Sequence, residues 1–318
     1  MPELYFANVN YLCNERCVFC AAGLADGPRR THNRPRGVTT NDITTWLAGT
    51  VPSPGDQVMI AGGEPTLHPR LTEIVRQLTR GGAGVTLFTN GLRLVDTAYV
   101  DALLDAGVDR FQISLYGARA SGHEAITRRP GSFDTTLRAL IGLSELRASR
   151  TFTVEVRLLA ARQTLDENPD IVRLIAAVAP QIDRMSLHRL IFSADAQHAE
   201  SAVTWQAARQ SLNECLRLIR RAGFDAGFDD LPLCVLDDDN LTWAIGRLTD
   251  GSQRGARSLH YLDPFTASGT RIDRAPPQQR TWASDPCTRC SLASKCSGPD
   301  EWYLERFGAG DLHPILTS

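Results

Sequence analysis

Hydrophobic positions along the chain fall into short runs separated by longer amphipathic stretches. Residues 4–9, Leu-Tyr-Phe-Ala-Asn-Val, read as a buried strand. Strand-like and helix-like segments alternate after it. Strands are predicted at 58–60, 84–89, 110–115, 152–159 and 185–191. Helices are predicted at 71–80, 97–106, 133–146 and 171–178. Repeated strand-then-helix units imply a parallel sheet with helices outside it. Polar and glycine-rich strings come just after strands: Ala61-Gly-Gly-Glu-Pro, Thr89-Asn-Gly and Ser114-Leu-Tyr-Gly. A β/α barrel places its active site on that C-terminal rim.

A long amphipathic helix is predicted at about 200–222, and beyond it the pattern changes. Residues 225–285 carry Asp237-Asp-Asp and Pro276-Pro-Gln-Gln with weak periodicity. A boundary is therefore expected near 195–225, giving units at 1–195, 196–225 and 226–318. The last unit is short and irregular, so an inorganic staple is expected to support it.

Composition narrows the function. Hydrophobic residues make up 42% and charged residues 22% of 318, which excludes wholesale disorder. The net charge of -2 argues against a nucleic-acid binder working through bulk positive charge. No apolar run reaches membrane-spanning length, and no signal-like segment opens the chain. A cytoplasmic enzyme without nucleic-acid or membrane partners is the expectation. Lys295 is the only lysine among 34 basic residues, so anion recognition falls to arginine.

Eight cysteines in such a chain call for an explanation other than disulfides. Cys13, Cys17 and Cys20 crowd the loop after the first strand. Cys287, Cys290 and Cys296 crowd the end. Three thiolates can hold three irons of a [4Fe–4S] cluster and leave the fourth iron open to a small molecule. The alternative is a zinc loop completed by His32 or a distant residue.

The Cys13-x3-Cys17-x2-Cys20 run resembles the signature of the radical S-adenosylmethionine (SAM) superfamily. Gly62-Gly63-Glu64-Pro65, after the second strand, resembles that family's SAM-binding motif. The resemblance covers about 4–195. It implies an α/β fold, a partial (β/α)6 TIM-like barrel with a small irregular C-terminal iron–sulfur extension. It also implies a mechanism. The SAM amino and carboxylate groups chelate the open iron, an electron enters the sulfonium, and the resulting 5′-deoxyadenosyl radical takes a hydrogen atom from substrate. Glycines at 62 and 63 would let backbone approach the methionine part of SAM. Glu64 would accept from its ammonium. Ser114 takes a position that often faces SAM in the family, and Arg128 or Arg129 and Arg157 are candidates to clamp the SAM carboxylate. Asn90 marks the third strand's exit. His188 and Arg189 face the cavity or pack structurally. Asn14-Glu15-Arg16 is read as serving the loop itself.

Cys287-x2-Cys290-x5-Cys296 resembles the core of the SPASM/Twitch extensions, which hold auxiliary iron–sulfur clusters. The further downstream cysteines of a full SPASM pattern are absent, so one auxiliary [4Fe–4S] cluster is expected, with Cys234 as its fourth ligand. Structural zinc on the same cysteines is the alternative. Cys215 is left over, as a small core hydrophobe or a hydrogen-atom donor. Arg29, Arg30, Arg34 and Arg36 form a solvated stretch or steer an anionic substrate or a peptide. The chain starts at its first barrel strand, which favours a small natural-product substrate over a ribosomal peptide. The expected reaction is oxidation or rearrangement after hydrogen abstraction. The runner-up is peptide cross-linking or epimerisation, and a non-enzymatic electron carrier comes third. A flavodoxin- or ferredoxin-type protein is the expected reductant.

Overall fold

Six parallel strands follow the expected order: β1 (Leu4–Asn10), β2 (Gln57–Gly62), β3 (Gly84–Thr89), β4 (Arg110–Ser114), β5 (Thr153–Ala160) and β6 (Arg184–Arg189). The computed structural model describes residues 3–20, 38–49, 51–190, 199–229, 231–249, 258–263, 266–273, 285–296 and 298–316. His32, the arginines at 29, 30, 34 and 36, Ile191 and the 276–279 string lie outside the described residues.

Helices α1 (Thr40–Gly49), α2 (Leu71–Leu78), α3 (Thr97–Ala106), α4 (Ala120–Thr127), α5 (Ser132–Leu146) and α6 (Asn168–Val178) link these strands. Strand alternation divides the sheet into two chemically different faces. One face carries Val58, Ile60, Val85, Leu87, Phe111, Ile113, Val154, Val156, Met185 and Leu187, all fully buried in one core with the helices. The other face carries Phe6, Met59 and Phe88 on β1 to β3 and is polar on β4 to β6. Gln112 pairs in register with Glu155 and then Arg184, and Ser114 pairs with Arg157 and then Ser186. A sheet that buries apolar residues on its helix side and polar ones on the other suits a barrel wall around a reactive lumen.

The sheet does not stop at the sixth strand. Helix α7 (Trp205–Arg221) leads into β7 (Asp225–Asp229), which pairs parallel with β6. After α8 (Asp238–Thr249), strand β8 (Ser258–Asp263) joins the other edge, parallel to β1, and β9 (Thr266–Asp273) pairs antiparallel with β8. The sheet order is β7-β6-β5-β4-β3-β2-β1-β8-β9. Weak periodicity in 225–285 concealed three strands, because β7 takes its hydrogen bonds from β6, β8 from β1 and β9 from β8. His260 on β8 stacks on Tyr5 with ring centroids 4.4 Å apart and bonds the Glu3 carboxylate.

Short helices α9 (Asp285–Thr288) and α10 (Glu301–Phe307) complete the C-terminal segment. Tyr303 stacks on Trp205 at 5.4 Å, and its hydroxyl accepts from the Trp205 N–H at 2.9 Å. An Arg189–Asp300 ion pair ties the same segment to the end of β6. Among the described residues no helix is long and apolar enough to cross a membrane.

Phe111 is fully buried on β4 and packs edge-on against Phe152 at 5.7 Å. Phe111→Ala is expected to cost about 3–5 kcal/mol of stability. Thermal denaturation followed by circular dichroism would show the lowered midpoint.

Candidate functional site

The thiols at 13, 17 and 20 sit in an irregular loop that is fixed from three sides. Arg16 N–H donates to Thr127 O at 2.9 Å and Val18 N–H to Ile126 O at 3.0 Å, pairing the loop with the end of α4. Arg129 Nη1 donates to Asn14 O at 2.9 Å. Beneath the loop, Phe19 packs with Ile126, Ala161 and Leu190 in an apolar cluster separate from the main core.

The Gly62–Pro65 string fixes the third side. Gly63 N–H donates to Asn10 O at 2.8 Å, and Glu64 N–H to Leu12 O at 2.6 Å. Gly62 adopts φ +136°, and a Cβ there would lie 2.2 Å from Asn10 O. A Cβ on Gly63 would lie 2.2 Å from Leu12 O. Both glycines are thus required by the chain leaving β1, independently of any ligand.

Glu64 is 1% exposed and saturated by four donors. Its Oε1 accepts from Thr66 N–H at 3.0 Å, Thr66 Oγ1 at 2.5 Å and Thr89 Oγ1 at 2.7 Å. Its Oε2 accepts from Asn90 N–H at 2.8 Å. Burial pushes its carboxyl upward against the pull of these donors. Asn90 in turn donates through Nδ2 to Asn14 Oδ1 at 2.7 Å. The structure therefore brings Asn90, Gly62, Gly63, Glu64 and Pro65 against the cysteine loop. Thr66, Thr89, Asn10 and Glu15 belong to the same assembly. Their only signal in sequence was position next to strand ends.

The arginines separate. Arg129 reaches the cysteine loop through its bond to Asn14 O. Arg128 is exposed and caps α4 in the left-handed conformation, φ 52°. Arg157 extends over the Phe88 ring at 5.2 Å, in register with Ser114. On the same polar face, Glu155 Oε1 accepts from Gln112 Nε2 at 2.9 Å and from Ser186, whose hydroxyl is 2.7 Å from His188 Nε2. Burial alone would raise the Glu155 carboxyl. His188, Arg184 and Ser186 outweigh it and hold the group down at about 2. Cys215 lies fully buried in the main core with Leu212 and Leu216, and burial pushes its thiol up to about 12.

The donor set of the first loop fits an iron–sulfur cluster. Glu15 N–H donates to Cys13 Sγ at 3.4 Å, and all three sulfurs lie within electrostatic reach of one another. Burial pushes Cys13 up to about 12 and Cys17 well above its usual range, so a strong positive charge is needed to hold them as thiolates. At the other end, chain segments from both sides of the β8–β9 hairpin converge. Leu233 N–H and Gly298 N–H each donate to Cys296 Sγ at 3.3 Å, and Ile315 N–H donates to Cys290 Sγ at 3.4 Å. Cys234, 8% exposed, feels Cys296 and Cys287 and receives a backbone N–H from His313. The structure thus brings Cys234 to the C-terminal trio. Among the described residues no three His, Cys, Asp or Glu side chains form a group that could hold a single metal ion.

The profile of the Radical SAM superfamily matches residues 8–175, and the chain belongs to that superfamily. Its members use a [4Fe–4S] cluster and SAM. An AdoMet-dependent heme synthase from Methanosarcina barkeri is 33% identical over 167 residues, 52% of this chain and 45% of that protein. The mycofactocin maturase MftC of Mycolicibacterium smegmatis is 32% identical over 169 residues, 53% of this chain and 40% of its own length. A PqqA peptide cyclase from Bradyrhizobium diazoefficiens is 23% identical over 70% of this chain and 55% of its own. The chain spans about half the length of the curated relatives it matches. Streptococcus suis SuiB, solved with S-adenosylmethionine, shares the fold with a TM-score of 0.62 at 15% identity, covering 99% of this chain and 76% of that one.

Two substitutions probe this geometry. In Gly63→Ala the new methyl meets backbone that cannot yield, so a loss of about 1–3 kcal/mol is expected together with poor iron uptake. Iron content after anaerobic reconstitution, read beside the melting temperature, checks it. For Glu155, a carboxyl held below its unfolded value contributes stability above about pH 4.5 and loses it as pH falls through about 2. Glu155→Gln should therefore be less stable than wild type by about 3 kcal/mol at pH 7. The gap should close between those pH values in parallel urea titrations.

Proposed function

We propose that the chain is a radical SAM enzyme with a second, auxiliary [4Fe–4S] cluster. Cys13, Cys17 and Cys20 would hold the first cluster, and Cys234, Cys287, Cys290 and Cys296 would close the second. Bound together, the first cluster and SAM would supply a 5′-deoxyadenosyl radical that abstracts a hydrogen atom from substrate. The observation that carries the reading is the lock between the three-cysteine loop and the Gly62–Pro65 string, because an electron carrier needs no such second loop.

The chain's own residues have separable tasks. Gly62, Gly63 and the Glu64 hub hold the cysteine loop at the rim. Arg129 and Asn90 tie the loop to α4 and β3 through Asn14, and Ser114 and Arg157 would offer polar groups to SAM. Arg184, Glu155, Ser186 and His188 keep the lumen polar, which suits a substrate bearing hydrogen-bonding groups. Four cysteine ligands on the second cluster would suit electron transfer, so a two-electron oxidation is the reaction it supports best.

Two substrate classes have support. The mycofactocin maturase and PqqA peptide cyclase relatives favour modification of a peptide. The heme synthase relative favours a small natural-product-type molecule. A flavodoxin- or ferredoxin-type reductant and a cytoplasmic setting complete the proposal, with residues 1–195 as barrel, 196–225 as connector and 226–318 as the auxiliary-cluster unit, whose strands extend the barrel sheet at both edges.

Anaerobically reconstituted protein should carry about eight irons per chain, and replacing Cys13, Cys17 and Cys20 together should leave about four. Cys234→Ala should perturb only the second set. On reduction, wild type should convert SAM to 5′-deoxyadenosine, and Cys17→Ala should not. A Cys17→Ala protein that still cleaves SAM, or zinc without iron in the triple variant, would sink the reading.

A further inference from the structure

The inner face of the sheet changes character between β3 and β4. Phe6, Met59 and Phe88 stand on that face of β1, β2 and β3, and each keeps part of its surface exposed. Phe6 and Phe88 belong to strands that β2 separates, yet their ring centroids are 6.3 Å apart. The sheet is therefore concave here, and these apolar side chains line its hollow. In parallel register Phe88 is the neighbour of Gln112, and Gln112 of Glu155. The apolar wall runs directly into the polar one.

Gln112 stands at that border and is 6% exposed. Its Nε2 donates to Glu155 Oε1 at 2.9 Å, while its Oε1 is buried without a hydrogen-bond partner. The ionised Glu155 fixes which way the amide points, because a flipped amide would set oxygen against oxygen. What Gln112 has left to offer is an acceptor. A buried acceptor without a donor costs free energy until one arrives. Apolar surface left wet inside a hollow is unfavourable in the same way until an apolar body covers it. One kind of ligand relieves both: a flat ring lying against Phe6, Met59 and Phe88, with an N–H or O–H on the edge turned toward β4.

We infer that the lumen recognises a flat aromatic substrate group bearing an N–H or O–H donor, with the Gln112 carboxamide oxygen accepting that bond and Phe6, Met59 and Phe88 packing on the ring. The inference rests on the reading above that substrate enters this lumen, and it adds the chemical class. Gln112 is then a specificity-determining residue that takes no part in hydrogen abstraction.

Indole and benzofuran are the probes, since they share a shape and differ by an N–H against an ether oxygen. Anaerobic equilibrium dialysis is run on reconstituted wild type, Gln112→Met and Phe88→Ala, with melting temperatures as the check on folding. Wild type should bind indole roughly tenfold more tightly than benzofuran, whose ether oxygen leaves the Gln112 oxygen unpaired. Gln112→Met should bring the two ligands within about twofold of each other. Phe88→Ala should weaken both by a similar factor and keep the preference for indole. N-acetyltryptophanamide separates the sources of the ring: binding at least as tight as indole assigns it to a peptide side chain, and weaker binding to a free small molecule. Wild type that binds neither probe, or both equally, overturns the inference without recourse to any variant. A preference that survives in folded Gln112→Met, or unchanged binding in Phe88→Ala, overturns it as well. The same wild-type preparation is assayed for SAM cleavage, and absent cleavage with the indole preference intact overturns the parent reading alone.

Discussion

One buried carboxylate organises the rim of this barrel. Glu64 receives hydrogen bonds from the turn that follows it and from the end of β3, while its own N–H is bonded to the loop leaving β1. Three strand exits are thereby held to one residue. The cost of burying its charge is partly offset by four donors. Replacing any of them would loosen the cysteine loop as well as the acid. The two glycines before it are part of the same constraint, since the β1 exit runs where their side chains would be.

The sheet imposes a second constraint. Its helix-covered face is uniformly apolar and buried, which sets the position of each strand through packing density. The opposite face is free to be polar, and the Gln112–Glu155–Ser186–His188 chain fills it with hydrogen-bonded groups. Stability and chemistry are thus separated across one layer of backbone. Cys215 illustrates the separation. It stands in the core with Leu212 and Leu216, where a thiol acts as a small hydrophobe, away from the polar wall.

The C-terminal segment depends on the barrel for its shape. Its short helices bury little by themselves, and its cysteines are arranged by contacts with residues far away in sequence. The Trp205–Tyr303 stack, the Arg189–Asp300 pair and the N–H groups of Leu233, Gly298 and Ile315 aim the sulfurs. The β8–β9 hairpin between Cys234 and Cys287 is fastened to β1, so the intervening chain is anchored on the sheet.

The order of strands β1 to β6, the helices at 97–106 and 133–146, and the two motifs at the rim were legible in the sequence, because each depends on local periodicity or on residues close together in the chain. Glycine and cysteine spacing indicated where chemistry would gather. Sequence could not reveal strands β7 to β9, since a strand added to a sheet is defined by the backbone it borrows bonds from. It did not separate Arg128 from Arg129, adjacent residues of which one caps a helix and the other reaches Asn14. It did not single out Gln112, because burial and a missing donor are properties of the folded neighbourhood. Cys234 could be proposed as a partner for the distant trio, but only tertiary contacts bring it there: proximity across fifty residues is decided by packing and pairing, which local pattern does not encode.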